Sequence, residues 1–232
     1  MPSATPSSTP TPTPTPGQVH TPTPTPTPTP TIPPADWTFS GLFLQVEEDE
    51  DGIFTLYLWG DLLNGTGESQ EIVSIYLCEM GGDPISEDVT ISFFPMEVLP
   101  PGWKGPFQLV MGPLDVLPAP ADELLDRYEP CVVEAEPSDF PLREDLVVTD
   151  ASLVSVGGSC RVEGTVRNDG PALDDYLQVV VTFYNAEGLV IGYGDFYTVA
   201  TNDLQAGEVS FTVDCPEMPE SPNDYAVQAV GS

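Results

Sequence analysis

Past its first 36 residues, the chain alternates apolar and polar residues in short runs that are separated by turn residues. Within 207–215, for example, Val209, Phe211 and Val213 face one side of an extended chain and the residues between them are polar. This period of two is typical of strands with one buried and one wet face. In the second part of the chain, the pattern predicts strands at 146–156, 160–168, 176–185, 188–199, 207–215 and 224–230.

The first part of this region repeats the second. When Gly82 is superposed on Gly188, four apolar positions of the first part fall on apolar positions of the second without a gap: Val73, Ile75, Leu77 and Ile85 on Val179, Val181, Phe183 and Ile191. Short insertions bring three further matches into the same order: Asn64-Gly65 with Asn168-Asp169-Gly170, Phe107 with Phe211, and Tyr128 with Tyr225. The sequence therefore predicts an all-β, duplicated unit at 36–138 and 139–232, with one short helix candidate at 121–128.

Three strings in the second copy carry a family resemblance: GTVRNDG (164–170), VVVTFYNAEGLV (179–190) and LQAGEVSF (204–211). They resemble the FxLYD family of bacterial and archaeal surface domains, and DLVVTDASLVS (145–155) is similar to CARDB adhesion domains. The resemblance covers 145–232 well and 37–136 loosely, and Asn185 stands where the FxLYD pattern has aspartate. It implies two tandem immunoglobulin-like β-sandwiches and no catalytic residues.

The first 35 residues differ in kind from the rest. Ten Thr-Pro dipeptides occupy this segment, and proline at alternate positions prevents both helix and sheet formation. We expect a polyproline II stalk of about 90 Å, at roughly 3.1 Å per residue. Its threonines suit O-glycosylation, with candidate sites at Thr11, Thr13, Thr23, Thr25 and Thr27. The alternative is an unmodified, disordered linker.

The charge of the chain excludes some partners. Five basic and 37 acidic side chains give a formal charge of 5 − 37 = −32, all of it outside the stalk. The bases are dispersed, at Lys104, Arg127, Arg143, Arg161 and Arg167. Such a surface repels phosphate backbones, so we expect no nucleic-acid partner. No apolar run is long enough to span a bilayer, and no signal peptide is visible. Export of the protein would therefore require a signal or anchor upstream of Met1.

Four cysteines permit three pairings. Cys160 begins one predicted strand and Cys215 ends another, and the two meet if these strands are antiparallel neighbours. Cys78 and Cys131 would form the second bridge. Each bridge would stabilise its unit by roughly 3 to 4 kcal/mol and would imply oxidising surroundings. The alternatives are four free thiols or, with less support from the spacing, a zinc site.

Few residues indicate a chemical site. The single histidine, His20, lies in the stalk, so we expect no enzyme activity. A run of acids between the first two strands is a candidate Ca²⁺ site, and the alternative is a solvated hairpin: Glu47, Glu48, Asp49, Glu50 and Asp51. Apart from that Ca²⁺ candidate, we expect no cofactor. Trp37, Trp59 and Trp103 would form a sugar-stacking platform if two of them shared an exposed face, although alternation with Leu56 and Leu58 favours a core position for Trp59. Asn64 begins a candidate N-glycosylation sequon.

Together these features favour a non-enzymatic, exported protein of the cell surface, in which a stalk displays two acidic domains for adhesion or protein interaction. Its partners would be other surface proteins, glycans or further copies of itself. Two alternatives stay open. One is a structural subunit that assembles into a filament or coat through strand edges. The other is an accessory region of a larger secreted enzyme.

Overall fold

The computed structural model describes residues 37–85, 90–140, 142–143, 145–156, 159–199 and 207–232. The expected stalk, with its five candidate threonines, lies outside these residues. The described part is all-β, as the alternation predicts, and its helical content is a 3₁₀ turn at Ala121–Glu123 followed by α1 at Leu124–Arg127. The strands are β1 Trp37–Glu48, β2 Phe54–Asn64, β3 Gln70–Glu79, β4 Thr90–Phe93, β5 Val98–Leu99, β6 Lys104–Leu114, β7 Tyr128–Pro137, β8 Leu146–Val156, β9 Ser159–Asn168, β10 Tyr176–Tyr184, β11 Val190–Val199, β12 Gly207–Asp214 and β13 Asp224–Gly231. None of the described helical segments has the length and apolar character that a bilayer crossing requires.

The described strands form four antiparallel sheets. Sheet 1 has the order β1-β2-β6-β4 and sheet 2 the order β5-β3-β7. Sheet 3 has the order β12-β9-β8 and sheet 4 the order β11-β10-β13. The first half of the chain therefore places its first, second and sixth strands together, with β3 between β5 and β7. The second half repeats this arrangement with β8, β9 and β12, and with β10 between β11 and β13.

A glycine-phenylalanine pair recurs at the same place in both halves. Gly60 of β2 lies opposite Phe107 of β6, and Gly164 of β9 lies opposite Phe211 of β12. Both phenylalanines are almost fully buried. A Cβ atom at Gly60 would lie 2.8 Å from the Phe107 ring, and one at Gly164 would lie 2.6 Å from the Phe211 ring. Each glycine is therefore required by the ring that packs over it, because a methyl group would occupy the same space.

An asparagine ends the same strand in both halves. Asn64 ends β2 and Asn168 ends β9, and both are buried. The side-chain oxygen of Asn64 accepts from the Thr66 amide at 2.9 Å, and that of Asn168 accepts from the Gly170 amide at 3.0 Å. Each side chain thus shapes the turn that leaves its strand.

The repeat is not exact. The strand after β3, β4, joins sheet 1, whereas the strand after β10, β11, joins sheet 4, and one aligned residue differs in exposure. Val179 is fully buried, whereas Val73, which the alignment superposes on it, is 46% exposed. The pairing of β3 with β7 is interrupted around Ser74 by irregularities in register. Because a one-residue slip moves side chains to the opposite face, Ile72 takes the buried position in the first half.

One disulfide lies in each half. Cys78 of β3 is bonded to Cys131 of β7, so this bridge joins neighbouring strands of sheet 2. Cys160 of β9 is bonded to Cys215, the residue after β12, so this bridge joins neighbouring strands of sheet 3. The structure thus contains the pairing that the strand pattern favours. The two bridges occupy different sheets of the repeated unit, so they are not equivalent positions of the repeat.

Two buried clusters fill the spaces between the sheets. The first combines side chains of sheets 1 and 2, among them Leu58 and Ile75. The second combines side chains of sheets 3 and 4, among them Val162 and Val179. The clusters are linked, since Val180 of β10 belongs to the first cluster and Phe43 of β1 packs against the second.

The two halves pack against each other through the outer faces of sheets 1 and 4. On β2, Leu58 and Leu62 point into the first cluster, yet Trp59 and Asp61 on the opposite face are also buried. On β10, Val180 and Thr182 are likewise buried, and Gln178 and Tyr184 on the same face are half-buried. The strand β11 contacts β1, β2 and β6, which places the edge of sheet 4 against sheet 1. The described residues of the two halves consequently form one compact unit.

The glycine-phenylalanine pairs lead to a direct test. Gly164→Ala forces a methyl group into the Phe211 ring, and we expect it to lower the free energy of unfolding by about 1–3 kcal/mol, as overpacking of a core does. Phe211→Leu removes the clashing ring atoms, so the double variant should lose less than the sum of the two single losses.

Urea unfolding of the unmodified protein, the two single variants and the double variant measures these losses. Gly105→Ala is the control, because its new methyl group meets only the flexible end of Leu99, at 3.1 Å. A Gly164→Ala variant as stable as the Gly105→Ala variant would contradict the ring-over-glycine account.

Candidate functional site

A cleft of about 430 Å³ opens between the two halves. Its first wall comes from Glu71 of β3 and from the loop between β4 and β5, which contributes Pro95 and Glu97. Its second wall comes from sheet 4, and one side is closed by Ser138, Phe140 and Leu142 of the segment that connects the halves. The cleft exists because the outer face of sheet 4 packs on the first half over only part of its area. Junctions of this kind are where small binding sites most often occur.

Three aromatic rings are stacked in this cleft. The Tyr176 ring lies between the other two, 6.1 Å from Phe140 and 5.4 Å from Tyr197 between ring centroids, with interplanar angles of 29° and 22°. Tyr176 and Tyr197 meet because β10 and β11 pair with Gln178 opposite Tyr197, which makes the two tyrosines diagonal neighbours. Phe140 is 40% exposed and Tyr197 is 55% exposed. The two ends of the stack are therefore accessible from solvent.

The polar side chains around the stack are acidic. Glu71 and Glu97 line the cleft and are both exposed. Asp195 lies beside Gln178, whose amide nitrogen donates to Asp195 at 3.3 Å and to the Pro95 carbonyl at 2.7 Å. Burial raises the pKa of Tyr176, and Tyr197, Asp175 and Glu97 raise it further by their charges. The phenol of Tyr176 thus stays neutral and the cleft carries a negative potential.

A second polar cluster lies at the junction of the halves. The carboxylate of Asp61 is 4% exposed and accepts a hydrogen bond of 3.0 Å from the Tyr184 hydroxyl of the other half. Burial raises the pKa of Asp61, although the Tyr184 hydrogen bond and the charge of Lys104 act against this rise. Burial and the charge of Asp61 raise the pKa of Tyr184 as well. Because the carboxylate is partnered across the junction, the pair joins the halves.

The acidic hairpin between β1 and β2 forms a regular turn. The Asp49 carboxylate accepts from the backbone amides of Asp51 and Ile53, each at 2.9 Å, and Gly52 takes a positive φ of 79°. In the described part of the chain, no group of three or more potential metal ligands converges. The candidate Ca²⁺ residues Glu47, Glu48, Asp49, Glu50 and Asp51 lie in an exposed hairpin, and their role as Ca²⁺ ligands stays a prediction.

Asn64, the candidate sequon residue, is fully buried. Its amide nitrogen donates to the carbonyls of Glu68 at 2.8 Å and Leu99 at 2.7 Å. In the folded protein this nitrogen is not available for a glycan. The structure gives Asn64 the turn-shaping role described above, and its modification as a sequon stays a prediction.

The tryptophans do not form an exposed platform. Trp37 is 7% exposed and Trp59 is 8% exposed, and Trp103 packs against the first cluster. Trp59 is buried on the face opposite Leu58, where its ring contacts Phe43 and Tyr57. The aromatic surface instead comes from Phe140, Tyr176 and Tyr197. These three residues belong to no sequence motif. The contact between Tyr176 and Tyr197 could have been predicted from the pairing of β10 with β11.

The Asp61–Tyr184 pair predicts a pH-dependent effect. Tyr184→Phe removes the donor and leaves a buried carboxylate, which we expect to cost about 1–3 kcal/mol at neutral pH. Folding raises the pKa of Asp61 above its value in the unfolded chain. The stability that comes from protonating Asp61 is therefore fully present below the unfolded pKa, and it is lost as the pH rises through the folded pKa. The cost of the substitution should therefore shrink as the pH falls towards the ordinary aspartate value of 3.8.

Urea unfolding at both pH values measures this cost. The control is Tyr225→Phe, because the Tyr225 hydroxyl donates to the Ala151 carbonyl at 2.8 Å and this acceptor does not titrate. Its cost should be the same at both pH values. A Tyr184→Phe cost that is equally independent of pH would contradict the role of Asp61.

Comparisons of the chain with protein-family models, with curated proteins and with solved structures found no match. The resemblance to FxLYD and CARDB domains therefore stays a prediction, and the geometry of the described residues is what any functional proposal has to rest on.

Proposed function

We propose that this chain is a non-enzymatic, exported protein of the cell surface, in which a Thr-Pro stalk presents two tandem immunoglobulin-like domains for adhesion or protein interaction. The observation that carries the proposal is the disulfide in each half. Disulfides form and persist in oxidising surroundings, outside the cytosol. The stalk sequence adds to this, because Thr-Pro tracts are typical of glycosylated spacers.

The tandem domains are supported by the repeated strand order. In each half, one sheet has β2 or β9 between two antiparallel neighbours, and the other sheet has β3 or β10 between two antiparallel neighbours. Sheet 1 has β4 in addition. Each buried cluster draws its side chains from two sheets, which is the arrangement of a β-sandwich. The repeated glycine-phenylalanine pair and the repeated strand-end asparagine support an origin by duplication.

An interaction role is supported by the junction of the halves. Packing of sheet 4 on sheet 1 gives the two domains a fixed mutual orientation and leaves the acidic aromatic cleft beside the connector. The exposed fractions of Phe140 and Tyr197 make this cleft a surface on which a partner can pack.

A structural subunit is the second candidate, and one observation favours it. The strand β4 is the last strand of sheet 1, and its Ile91 and Phe93 are 57% and 45% exposed. An apolar edge strand is a template for pairing with another chain. Size-exclusion chromatography with negative-stain microscopy separates the candidates, since fibres would favour the subunit and a monodisperse monomer would favour display.

Material isolated from the native cells tests the proposed function. Peptide mapping without reduction should recover Cys78 joined to Cys131 and Cys160 joined to Cys215. Peptides from residues 1–35 should carry hexose masses on their threonines. Protease treatment of intact cells should remove the protein. Free thiols, unmodified stalk peptides and protection from the protease would together overturn the proposal.

A further inference from the structure

The cleft between the halves has a chemical character that selects among ligands. It joins a stack of three aromatic rings, Phe140, Tyr176 and Tyr197, to the carboxylates of Glu71 and Glu97. We propose that this cleft binds an arginine side chain on an exposed segment of a partner protein. That the partner is a protein rests on the proposed function. The preference for an arginine side chain is argued from the residues that line the cleft.

Charge is the first argument. Two carboxylates line the cleft, and Asp175 and Asp195 lie next to Tyr176 and Gln178. No basic side chain lines it among the described residues. A cation that enters therefore gains from several carboxylates, while an anion is repelled.

The chain's own arginines are already engaged. Arg143, which lines the neighbouring depression beside Phe140, is held by both carboxylate oxygens of Asp145 at 2.7 Å and by the Pro171 carbonyl at 2.9 Å. The other three arginines each form an ion pair with a carboxylate close in sequence: Arg127 with Glu123, Arg161 with Glu163 and Arg167 with Asp169. Lys104, the one lysine of the sequence, donates to Ser40 at 3.2 Å and does not line the cleft. A cation for the cleft would thus come from another molecule.

The aromatic stack is the second argument. Tyr176 is half-buried and contacts both other rings, so the more exposed ends of the stack, above all Tyr197, offer a face to a ligand. A planar guanidinium stacks on one aromatic face and at the same time donates in a fork to a carboxylate. A lysine ammonium lacks the plane and the fork. A sugar ring would also stack on the aromatic face and donate its hydroxyls to the carboxylates, but without a positive charge it gains less from their excess.

A blocked single residue is the cleanest probe, because a polycation would adhere to a protein of this charge without a specific site. The full-length, disulfide-bonded chain is titrated with N-acetyl-arginine methylamide while backbone amide signals are followed by NMR. We expect shifts confined to the cleft, at Glu97, Tyr176 and Tyr197, with a dissociation constant on the order of millimolar. The neutral isostere N-acetyl-citrulline methylamide should cause none of them, and the lysine analogue should bind more weakly.

Two matched pairs of variants locate the site. Tyr197→Ala and Glu97→Gln should each weaken arginine binding about two- to fivefold. Phe93→Ala removes a comparably exposed aromatic ring on β4, and Asp115→Asn removes an exposed charge in the loop after β6, and neither should change the affinity. The dispersion of the amide signals shows that each variant is folded.

Several outcomes overturn the inference. An equal loss for Glu97→Gln and Asp115→Asn would reduce the binding to general attraction by a polyanion. The same shifts with citrulline, with cellobiose or with a blocked (Thr-Pro)₅ peptide would assign the cleft to a neutral ligand, a glycan or the stalk. Absence of any arginine-induced shift would remove the site. None of these results depends on the location of the protein. The experiments on material from the native cells test that location separately.

Discussion

The strands β2 and β10 bury both of their faces, and most of what distinguishes this structure depends on that constraint. Each strand contributes one face to the cluster of its own half: Leu58 and Leu62 on β2, and Val179 and Val181 on β10. The opposite faces meet at the junction, where Val180 enters the first cluster and Tyr184 bonds to the buried Asp61. Burial of apolar area on both sides of one strand stabilises two packed layers at once. The described residues of the two halves therefore form one compact unit.

The cleft is a consequence of this packing. Phe140, on the segment that connects the halves, stacks on Tyr176 of sheet 4. The loop between β4 and β5 is held to the same sheet by the bond from Gln178 to the Pro95 carbonyl. An aromatic and acidic surface thus arises from residues that are far apart in the chain. Its position at the junction makes its shape dependent on the orientation of the two halves.

Much of the fold could be predicted from the sequence because period-two alternation reports directly on one-sided burial. The strands of the second half begin and end within two residues of their expected bounds, and the positions of Cys160 and Cys215 at strand ends indicated their pairing. The runs TLYLWGDLL (55–63) and LQVVVTF (177–183) also carried a signal, since apolar residues at consecutive positions are typical of strands buried on both faces. The exposure of Val73 could not be foreseen, because a bulge depends on how β3 pairs with β7.

The candidate site was harder to predict for a physical reason. Phe140, Tyr176 and Tyr197 come together only when the connector, β10 and β11 are placed, and none of them belongs to a motif. The sequence drew attention to the tryptophans and the acidic hairpin instead, because large rings and charge runs are visible without a structure. In the folded chain, Trp59 serves the junction and Asp49 shapes a turn. Trp59 and Asp49 therefore have structural roles, whereas the exposed aromatic surface comes from one residue of the connecting segment and two residues of strands.

The packing of the two halves as one unit is tested most directly by tryptophan fluorescence during urea unfolding of Val180→Ala. All three tryptophans, Trp37, Trp59 and Trp103, lie in the first half, whereas Val180 lies in the second and is 1% exposed. If the outer face of β10 stabilises the first half, the tryptophan transition should move to lower urea, by about 1–3 kcal/mol in unfolding free energy. A tryptophan transition identical to that of the unmodified protein would contradict the account.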